Sequence, residues 1–205
     1  MTAATPRLIP DRLQSPLARG LRSWETILIV VLIAVCITNS FLSPYFLNAW
    51  NLSDATFNFT EKALIAFAMA MLIIAGDIDL SVASIIALAS TAMGLVMSMG
   101  AGTPEIVLTG IATGLICGAV NGVLVAGMGL PSIVVTIGTM SLFRGLAFIV
   151  LGDQAFNGYP KDFAYFGQGY VWWVISFELV LFAVSALIFW ALLHRTTFGL
   201  SLIHI

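Results

Sequence analysis

Two carboxylates stand inside a long and mostly apolar stretch of the sequence, and they are the residues best placed to do chemistry. Asp77 and Asp79 interrupt the run from Ala63 to Met99. At about 1.5 Å per residue, one helix of that length would exceed a bilayer crossing. Because a carboxylate facing lipid costs several kcal/mol, we expect two membrane spans with a break or hinge near residues 76–81.

The break has two interpretations. In the first, the free backbone ends of a broken helix lie in a transport path, where Asp77, Asp79 and Ser81 meet the solute. In the second, the segment is a polar loop in which Asp79 or Ser81 accepts a hydrogen bond from the amides that open the next helix.

Polar side chains on later spans extend both interpretations. Thr136 and Thr139 place hydroxyl groups along one span, suited to close packing or to lining a polar path. Asn121 is an amide within another apolar span, and a hydrogen bond to a second helix is favoured over contact with a ligand. We group these three residues with Asp77, Asp79 and Ser81 as the candidate path or hinge.

Arg144 and Glu178 are charged residues within apolar spans. An unpaired arginine at that depth would cost at least about 2.5 kcal/mol, and the expected topology puts both residues at a similar depth. The sequence therefore predicts an ion pair between them. In the alternative, both side chains extend to the outer membrane surface.

Glycines recur every four residues in a further span and form a stripe on one helix face: Gly110, Gly114, Gly118 and Gly122. Such a stripe lets a neighbouring backbone approach closely within a membrane. It predicts a helix–helix interface.

Motifs typical of enzymes are not found in the sequence. It has no nucleotide-binding glycine loop that ends in Lys-Ser or Lys-Thr and no His-Glu-x-x-His. Cys36 and Cys117 lie in apolar spans and are expected to be small core residues. We predict no catalytic residue, no cofactor, no metal site and no nucleic-acid partner. If transport uses ATP, the ATPase is another polypeptide.

The composition indicates which elements position these residues. Of the 205 residues, 60% are hydrophobic and 9% are charged, and the mean hydropathy is +1.05. Apolar runs of about 20 residues recur, without the period-two alternation of barrel strands. The expected fold is all-α, a polytopic helical membrane protein with about six spans.

The first 23 residues carry half of the lysines and arginines. They predict a basic cytoplasmic tail at 1–23, followed by a transmembrane domain at 24–205. The expected spans are Trp24–Phe41, Glu61–Ala75, Val82–Met99, Glu105–Ala126, Ser132–Leu151 and Val171–Leu193, with a polar outer loop from Gly152 to Tyr170. This count predicts that Asp77 and Asp79 face the cytoplasm.

Several motifs in a fixed order resemble the ribose-type sugar permeases of bacterial ABC importers. They are Gly76–Ser84, Asn121–Gly122, Leu130–Met140 and Arg144–Gly145. Asp79, Ser81, Thr136 and Thr139 match the family pattern, whereas Asp77 stands where the family has glycine. The run Phe57–Lys62 resembles the rhamnose-type members.

The resemblance implies a pore built from two permease subunits, homodimeric or heterodimeric, in the bacterial inner membrane. It also implies cytoplasmic ATPase subunits and a periplasmic sugar-binding protein. Arg195, Phe198 and Gly199 resemble the start of the segment that couples to the ATPase. Since members of the family continue into further spans, the chain is expected to be a C-terminally truncated permease.

Three hypotheses follow for the function. The first is the transmembrane subunit of an ABC importer that moves a ribose-like or rhamnose-like monosaccharide by alternating access. The second is an ion-coupled secondary transporter that uses Asp77, Asp79 and Glu178. The third is a nonfunctional permease fragment.

Overall fold

The computed structural model describes residues 24–204, with side chains described as far as residue 202. The predicted basic tail at 1–23 lies outside the described residues. The chain divides into two compact units, with the boundary between Leu52 and Ser53. In the first unit, Trp24–Leu42 forms helix α1, which buries none of its residues.

The remaining elements follow in chain order. The helices are α2 (Ala49–Ile74), α3 (Val82–Ser98), α4 (Thr103–Gly122), α5 (Ser132–Leu151), α6 (Lys161–Gln168), α7 (Phe177–Arg195) and α8 (Thr197–His204). A π-helical turn at Val123–Gly127 extends α4. Two short strands, β1 (Tyr170–Trp172) and β2 (Ile175–Ser176), pair as an antiparallel hairpin.

The prediction of a helical membrane protein is confirmed. Five of the described helical segments are long and apolar enough to cross a bilayer: Trp24–Leu42, Ala49–Ile74, Thr103–Gly127, Ser132–Leu151 and Phe177–Arg195. Val82–Ser98 is a sixth, shorter apolar helix. The span predicted at Ser132–Leu151 has the bounds of α5.

Two of the predicted span boundaries are wrong because polar residues cap helices at other positions. Helix α2 begins at Ala49 rather than Glu61. At this earlier start, Asn48 Oδ1 accepts a hydrogen bond from the amide of Trp50 at 3.1 Å. Helix α7 begins at Phe177 rather than Val171, because Ser176 Oγ accepts from the amide of Leu179 at 3.2 Å. The predicted outer loop contains α6 and the start of the hairpin.

The core of the second unit is a three-helix group in which α3 packs against both α4 and α5. Its buried apolar side chains are Ile106, Cys117, Val135, Phe143 and Ala147. Most other large apolar residues on these helices are exposed. Such a surface suits contact with lipid, where no water has to be excluded.

Helix α2 contacts the hairpin at the end opposite the Asp77–Asp79 break. Ser53 Oγ donates to the Val174 carbonyl at 2.5 Å, and the phenol of Tyr170 donates to Asp54 Oδ1 at 3.0 Å. Phe57 packs edge to face against Tyr170. Burial and the Asp54 carboxylate raise the pKa of Tyr170 above its usual value, because both disfavour the charged phenolate.

Further along α2, aromatic stacking joins this helix to α7. Phe67 stacks on Phe182 and on Phe189, with ring centroids 5.3 and 5.2 Å apart. The loop before α6 reaches the far end of α3, where a Cβ added at Gly94 would overlap the Phe156 side chain. The contact of Gly94 with Phe156 therefore lies at the end of α3 away from the break.

Candidate functional site

The predicted break between α2 and α3 is present and is formed by residues 75–81. Gly76 has φ +87°, a left-handed conformation that residues with a side chain rarely adopt. The amide of Asp77 then bonds to the Leu72 carbonyl at 2.9 Å and closes the end of α2. From Asp77 the chain is not helical until Val82, where α3 begins.

A chain of hydrogen bonds joins this segment to α4. Asn121 Nδ2 donates to Ser81 Oγ at 2.8 Å, and Ser81 Oγ donates to Asp79 Oδ1 at 2.6 Å. The amide of Ser81 also donates to Asp79 Oδ1, at 2.7 Å. Ser81 is fully buried, with no exposed surface. These bonds hold the segment in one conformation at the start of α3.

The predicted capping role of the Ser81 side chain is wrong. The amides of Ser84 and Ile85 bond to the backbone carbonyl of Ser81, and its hydroxyl makes no cap. The hydroxyl instead donates its one proton to Asp79 Oδ1 and accepts a hydrogen bond from Asn121 Nδ2. Asp79 accepts a hydrogen bond from the amide of Ser81, the residue before the first residue of α3. Asp79 therefore fixes the segment that leads into the helix and does not cap the helix itself.

The start of α5 closes the other side of the segment. The amide of Ile78 donates to Ser132 Oγ at 3.4 Å. Thr136 Oγ1 donates to the Ser132 carbonyl at 2.8 Å and lies 3.4 Å from the Ile78 carbonyl. Thr139 is buried one turn later and donates to the Thr136 carbonyl at 3.4 Å. Thr139 therefore packs behind the site. Of the two roles predicted for it, this is close packing rather than lining a polar path.

A cavity of about 350 Å³ lies where these elements meet. It is lined by Leu72, Asp77, Ile78, Asp79, Gly118, Asn121, Gly122, Val125, Ala126, Ser132 and Thr136. Four of the six residues of the candidate path or hinge are in this lining. Ser81 lies behind it, bonded to Asp79 and Asn121. The volume is within the range of about 300–1,000 Å³ found for small-molecule sites.

One polar atom at this cavity has no partner. Asn121 is 7% exposed, and its Oδ1 is buried without a hydrogen bond. The amide orientation follows from Ser81: the only hydroxyl proton of Ser81 goes to Asp79, so Asn121 must turn its NH₂ group toward Ser81. A buried amide oxygen in this state lacks a donor, and leaving it unpaired costs folding free energy.

The structure does not support a helix-packing role along the whole predicted glycine stripe. A Cβ added at Gly110 would overlap Met93 of α3, so this glycine does allow a close approach. A Cβ added at Gly114, Gly118 or Gly122 would meet nothing within 4 Å. Gly118 and Gly122 form part of the cavity wall. Lack of a side chain therefore gives space at this end of α4 rather than contact within the described chain.

The predicted ion pair between Arg144 and Glu178 is not formed. Arg144 lies on α5 beside Ser84 and Ala87 of α3 and is exposed. Glu178 is at the start of α7, its Oε1 near Gly167, and its Oε2 is buried without a partner. The prediction was based on the similar depth of the two residues in the membrane, and depth does not determine which helices are neighbours.

The predicted coupling residues lie where α7 turns into α8. Thr196 Oγ1 donates to the Leu192 carbonyl at 2.5 Å and accepts from the amide of Gly199 at 3.3 Å. The guanidinium of Arg195 lies 5.3 Å from the ring centre of Trp190. Gly199 is buried, and a Cβ there would overlap the backbone of Leu193. Phe198 is 53% exposed and free to contact another protein.

Sequence reasoning missed Ser132 as a member of the site. It was treated only as the start of a span, yet its hydroxyl holds the Ile78 amide. The available signal was its position after Leu130–Pro131, since polar residues at a helix start often bond to neighbouring backbone. Among the described residues, no group of three or more His, Cys, Asp and Glu lies close enough to hold a metal ion.

Comparisons with known proteins extend these observations. The family model described as the permease component of the branched-chain amino acid transport system matches residues 51–205. The autoinducer 2 import system permease protein LsrD of Enterobacter sp. (strain 638) is 31% identical over 183 residues, which are 86% of this chain and 56% of that protein. LsrD of Salmonella typhimurium (strain LT2) is 31% identical over 188 residues, 86% of this chain and 55% of that protein.

LsrD of Escherichia coli O157:H7 is 29% identical over 182 residues, which are 86% of this chain and 55% of that protein. The chain thus spans about 55% of the length of the curated relatives that it matches. No solved structure gives a significant match.

Proposed function

This chain belongs to the permease family whose model matches residues 51–205, and from that we propose that it forms part of the transmembrane subunit of an ABC importer for a small sugar-like solute. The observation that carries the proposal is the cavity at the broken helix, where polar side chains interrupt a largely apolar wall. It joins Asp77, Asp79, Asn121 and Thr136 within a helical membrane protein of this family. A path through a bilayer needs such polar groups away from lipid.

The solute is a monosaccharide or a molecule of similar chemistry. Ribose-like and rhamnose-like sugars are the first candidates because the motifs resemble the permeases of those importers. The similarity to permeases of autoinducer 2 import systems adds a third candidate. All three candidate solutes are small and polar, and the cavity volume of about 350 Å³ is large enough for one such molecule.

The importer has partners on both sides of the bacterial inner membrane. Cytoplasmic ATPase subunits bind at the turn between α7 and α8, where Phe198 is exposed and Gly199 holds α8 against α7. A second permease subunit completes the pore, and a periplasmic sugar-binding protein delivers the solute. ATP binding acts through contacts that differ between the inward-facing and outward-facing states.

Transport of labelled ribose, rhamnose and autoinducer 2 tests the proposal. We expect the protein to co-purify with a cytoplasmic ATPase subunit of an ABC importer from its own cells, and uptake of one of these solutes to stop when that ATPase is inactivated. A Phe198→Ala variant should lower the amount of ATPase recovered, because an exposed aromatic ring is removed from the contact. Leu200→Ala, also exposed on α8, is the matched control.

The same assay separates the other two hypotheses. Uptake that persists without the ATPase and collapses with the proton gradient would contradict the proposal and favour a secondary transporter. Absence of uptake from the 205-residue chain, with uptake restored by the longer gene product, would identify the chain as a fragment that does not transport alone. Uptake by neither, with no ATPase bound, would contradict an importer altogether.

A further inference from the structure

The turn of the β-hairpin carries two tryptophans that the described part of the chain leaves largely uncovered. Trp172 is 77% exposed and Trp173 is 71% exposed. Within the described residues, neither indole N–H has a hydrogen-bond partner. Val171 beside them is also exposed. Adjacent aromatic side chains at this exposure indicate a contact with something outside the chain.

The backbone of Trp173 is strained, and the turn alone does not explain the choice of tryptophan there. Its φ of +40° is the single positive φ among the described residues other than glycine. Bulky residues rarely adopt this conformation, and tight hairpin turns usually place glycine, asparagine or aspartate at such positions. Asparagine would therefore fit the turn with less strain, so the gain from a large ring at this position lies elsewhere.

Helix α7 places this turn at the membrane surface. The 19 residues of Phe177–Arg195 extend about 28 Å, and a hydrocarbon core measures about 30 Å. The last turn of α7 carries two basic residues that mark one boundary of the core, so Phe177 lies near the other. Trp173 is three residues before Ser176 and reaches at most about 10 Å from it. Since the headgroup region on one side is about 5–8 Å thick, the turn stays within or directly beside the headgroups.

The surroundings of the turn are aromatic and continue into the lipid-facing surface of α7. The rings of Tyr165 and Phe166 on α6 are exposed and lie 5.6 and 5.4 Å from the ring of Phe177. One helical turn after Phe177, on the same face, Val180 and Leu181 are exposed as well. No residue from 169 to 177 is charged. This continuity with a membrane span favours lipid over a water-soluble protein as the partner.

We propose that the hairpin turn and the exposed rings of α6 lie in the headgroup region of the bilayer, with Trp172 and Trp173 as membrane anchors. Each indole ring packs on the upper acyl chains, and its N–H donates to a phosphate or ester carbonyl oxygen of the lipid. This inference goes beyond the proposed function and does not depend on it.

The anchors act on two spans at once. The hairpin leads directly into α7, and it is joined to the start of α2 by the bond from Ser53 Oγ to the Val174 carbonyl and by the bond from Tyr170 to Asp54. Lipid contact at the turn therefore fixes the ends of α2 and α7 at the depth of the headgroups.

Quenching of tryptophan fluorescence by brominated lipids measures this contact. The 205-residue chain is reconstituted in phosphatidylcholine nanodiscs with Trp24→Phe, Trp50→Phe and Trp190→Phe, which leave the two hairpin tryptophans as its indoles. We expect fluorescence to be lost when the acyl chains carry bromine near the headgroup, and a smaller loss when the bromine is near the chain end. Acrylamide dissolved in the water should quench these indoles only weakly.

Asn157→Trp is the matched control, made in the same background with both hairpin tryptophans changed to phenylalanine. Asn157 is exposed in the polar loop between α5 and α6. Its indole should be quenched more by acrylamide and less by brominated lipid than the hairpin indoles. Equal lipid quenching of the two samples would overturn the proposal. Quenching of the hairpin by acrylamide alone would also overturn it, and would indicate a water-exposed contact for a soluble protein.

Trp173→Asn separates the anchor from the turn. Asparagine adopts a positive φ more readily than tryptophan, so the hairpin should persist. The remaining indole of Trp172 should lose part of its lipid quenching and emit at longer wavelength, because one of two anchors is gone. Trp173→Tyr keeps an aromatic ring with a polar end and should retain the quenching. Unchanged emission of Trp172 in Trp173→Asn would overturn the assignment of Trp173 as an anchor.

A second reporter covers the case in which the phenylalanine background lowers the helical circular dichroism. Trp172→Cys is then labelled with bimane in a chain with Cys36→Ser, because Cys36 is exposed whereas Cys117 is buried. The same lipids quench bimane, and absence of lipid quenching there would overturn the proposal. No ATPase or uptake assay enters these measurements, so a negative result removes the lipid contact and leaves the importer proposal unchanged.

Discussion

Ser81 is the residue on which the geometry of the site depends. Its hydroxyl accepts a hydrogen bond from Asn121 and donates one to Asp79, while its backbone carbonyl accepts from the amides of Ser84 and Ile85 in the first turn of α3. One buried residue thus links the break, the start of a helix and a second helix. Removing the hydroxyl leaves the Asn121 amide without any partner on either end.

We expect Ser81→Ala to lower the free energy of unfolding by about 1–3 kcal/mol, the cost of leaving buried polar groups unpaired. Ser84→Ala is the matched control, because Ser84 is also buried and its hydroxyl bonds only to the carbonyl of Ser81 within the same turn. The control should lose less than half as much. Thermal unfolding in detergent compares the two variants, and equal losses would contradict a central role for the Ser81 hydroxyl.

At the scale of elements, the helix ends are less predictable from sequence than the apolar helix interiors. The bounds of α5 follow from Pro131 and the apolar run behind it, and the break follows from Gly76 and the two carboxylates. The predicted pairing of Arg144 with Glu178 is wrong, because apolar periodicity does not say which helices are neighbours. The glycine stripe likewise shows that α4 has a face without side chains but not whether that face meets a helix or a cavity.

The contact between helices α7 and α8 depends on Gly199, and this gives a direct prediction. Gly199→Ala places a Cβ against the backbone of Leu193, which cannot move aside as a side chain would. Helix α8 must then shift away from the end of α7. We expect a marked loss of ATPase recovery in the pull-down and a lower melting temperature. Gly145→Ala is the control, since its added Cβ meets nothing within 4 Å, and it should bind the ATPase normally.

For the second compact unit as a whole, the structure places the break and the hairpin at opposite ends. The break contacts the start of α5 through Ser132, whereas the hairpin contacts the start of α2 through Ser53. The span count likewise put the predicted loop from Gly152 to Tyr170 on the side opposite the break, but it did not predict the hairpin. Which end faces the cytoplasm rests on the positions of arginines in the tail at 1–23 and stays a prediction.

Labelling from the two sides of the membrane tests that orientation. Met128 lies near the break, and Trp172 lies in the hairpin; both side chains are exposed. With Cys36→Ser as background, we expect Trp172→Cys to react with an impermeant maleimide added to spheroplasts. Met128→Cys should react only after the membrane is opened. The reverse pattern would invert the topology, and with it the side on which the ATPase binds.

The length of α3 has a consequence for the lipid around it. Its 17 residues extend about 25 Å, whereas a hydrocarbon core measures about 30 Å. The short helix begins at Val82, so the shortfall at that end lies beside Ser81 and the Asp79 carboxylate. Hydrophobic mismatch costs fractions of a kcal/mol per ångström. A change in the acyl-chain length of the lipid is therefore expected to affect α3 before it affects the longer helices beside it.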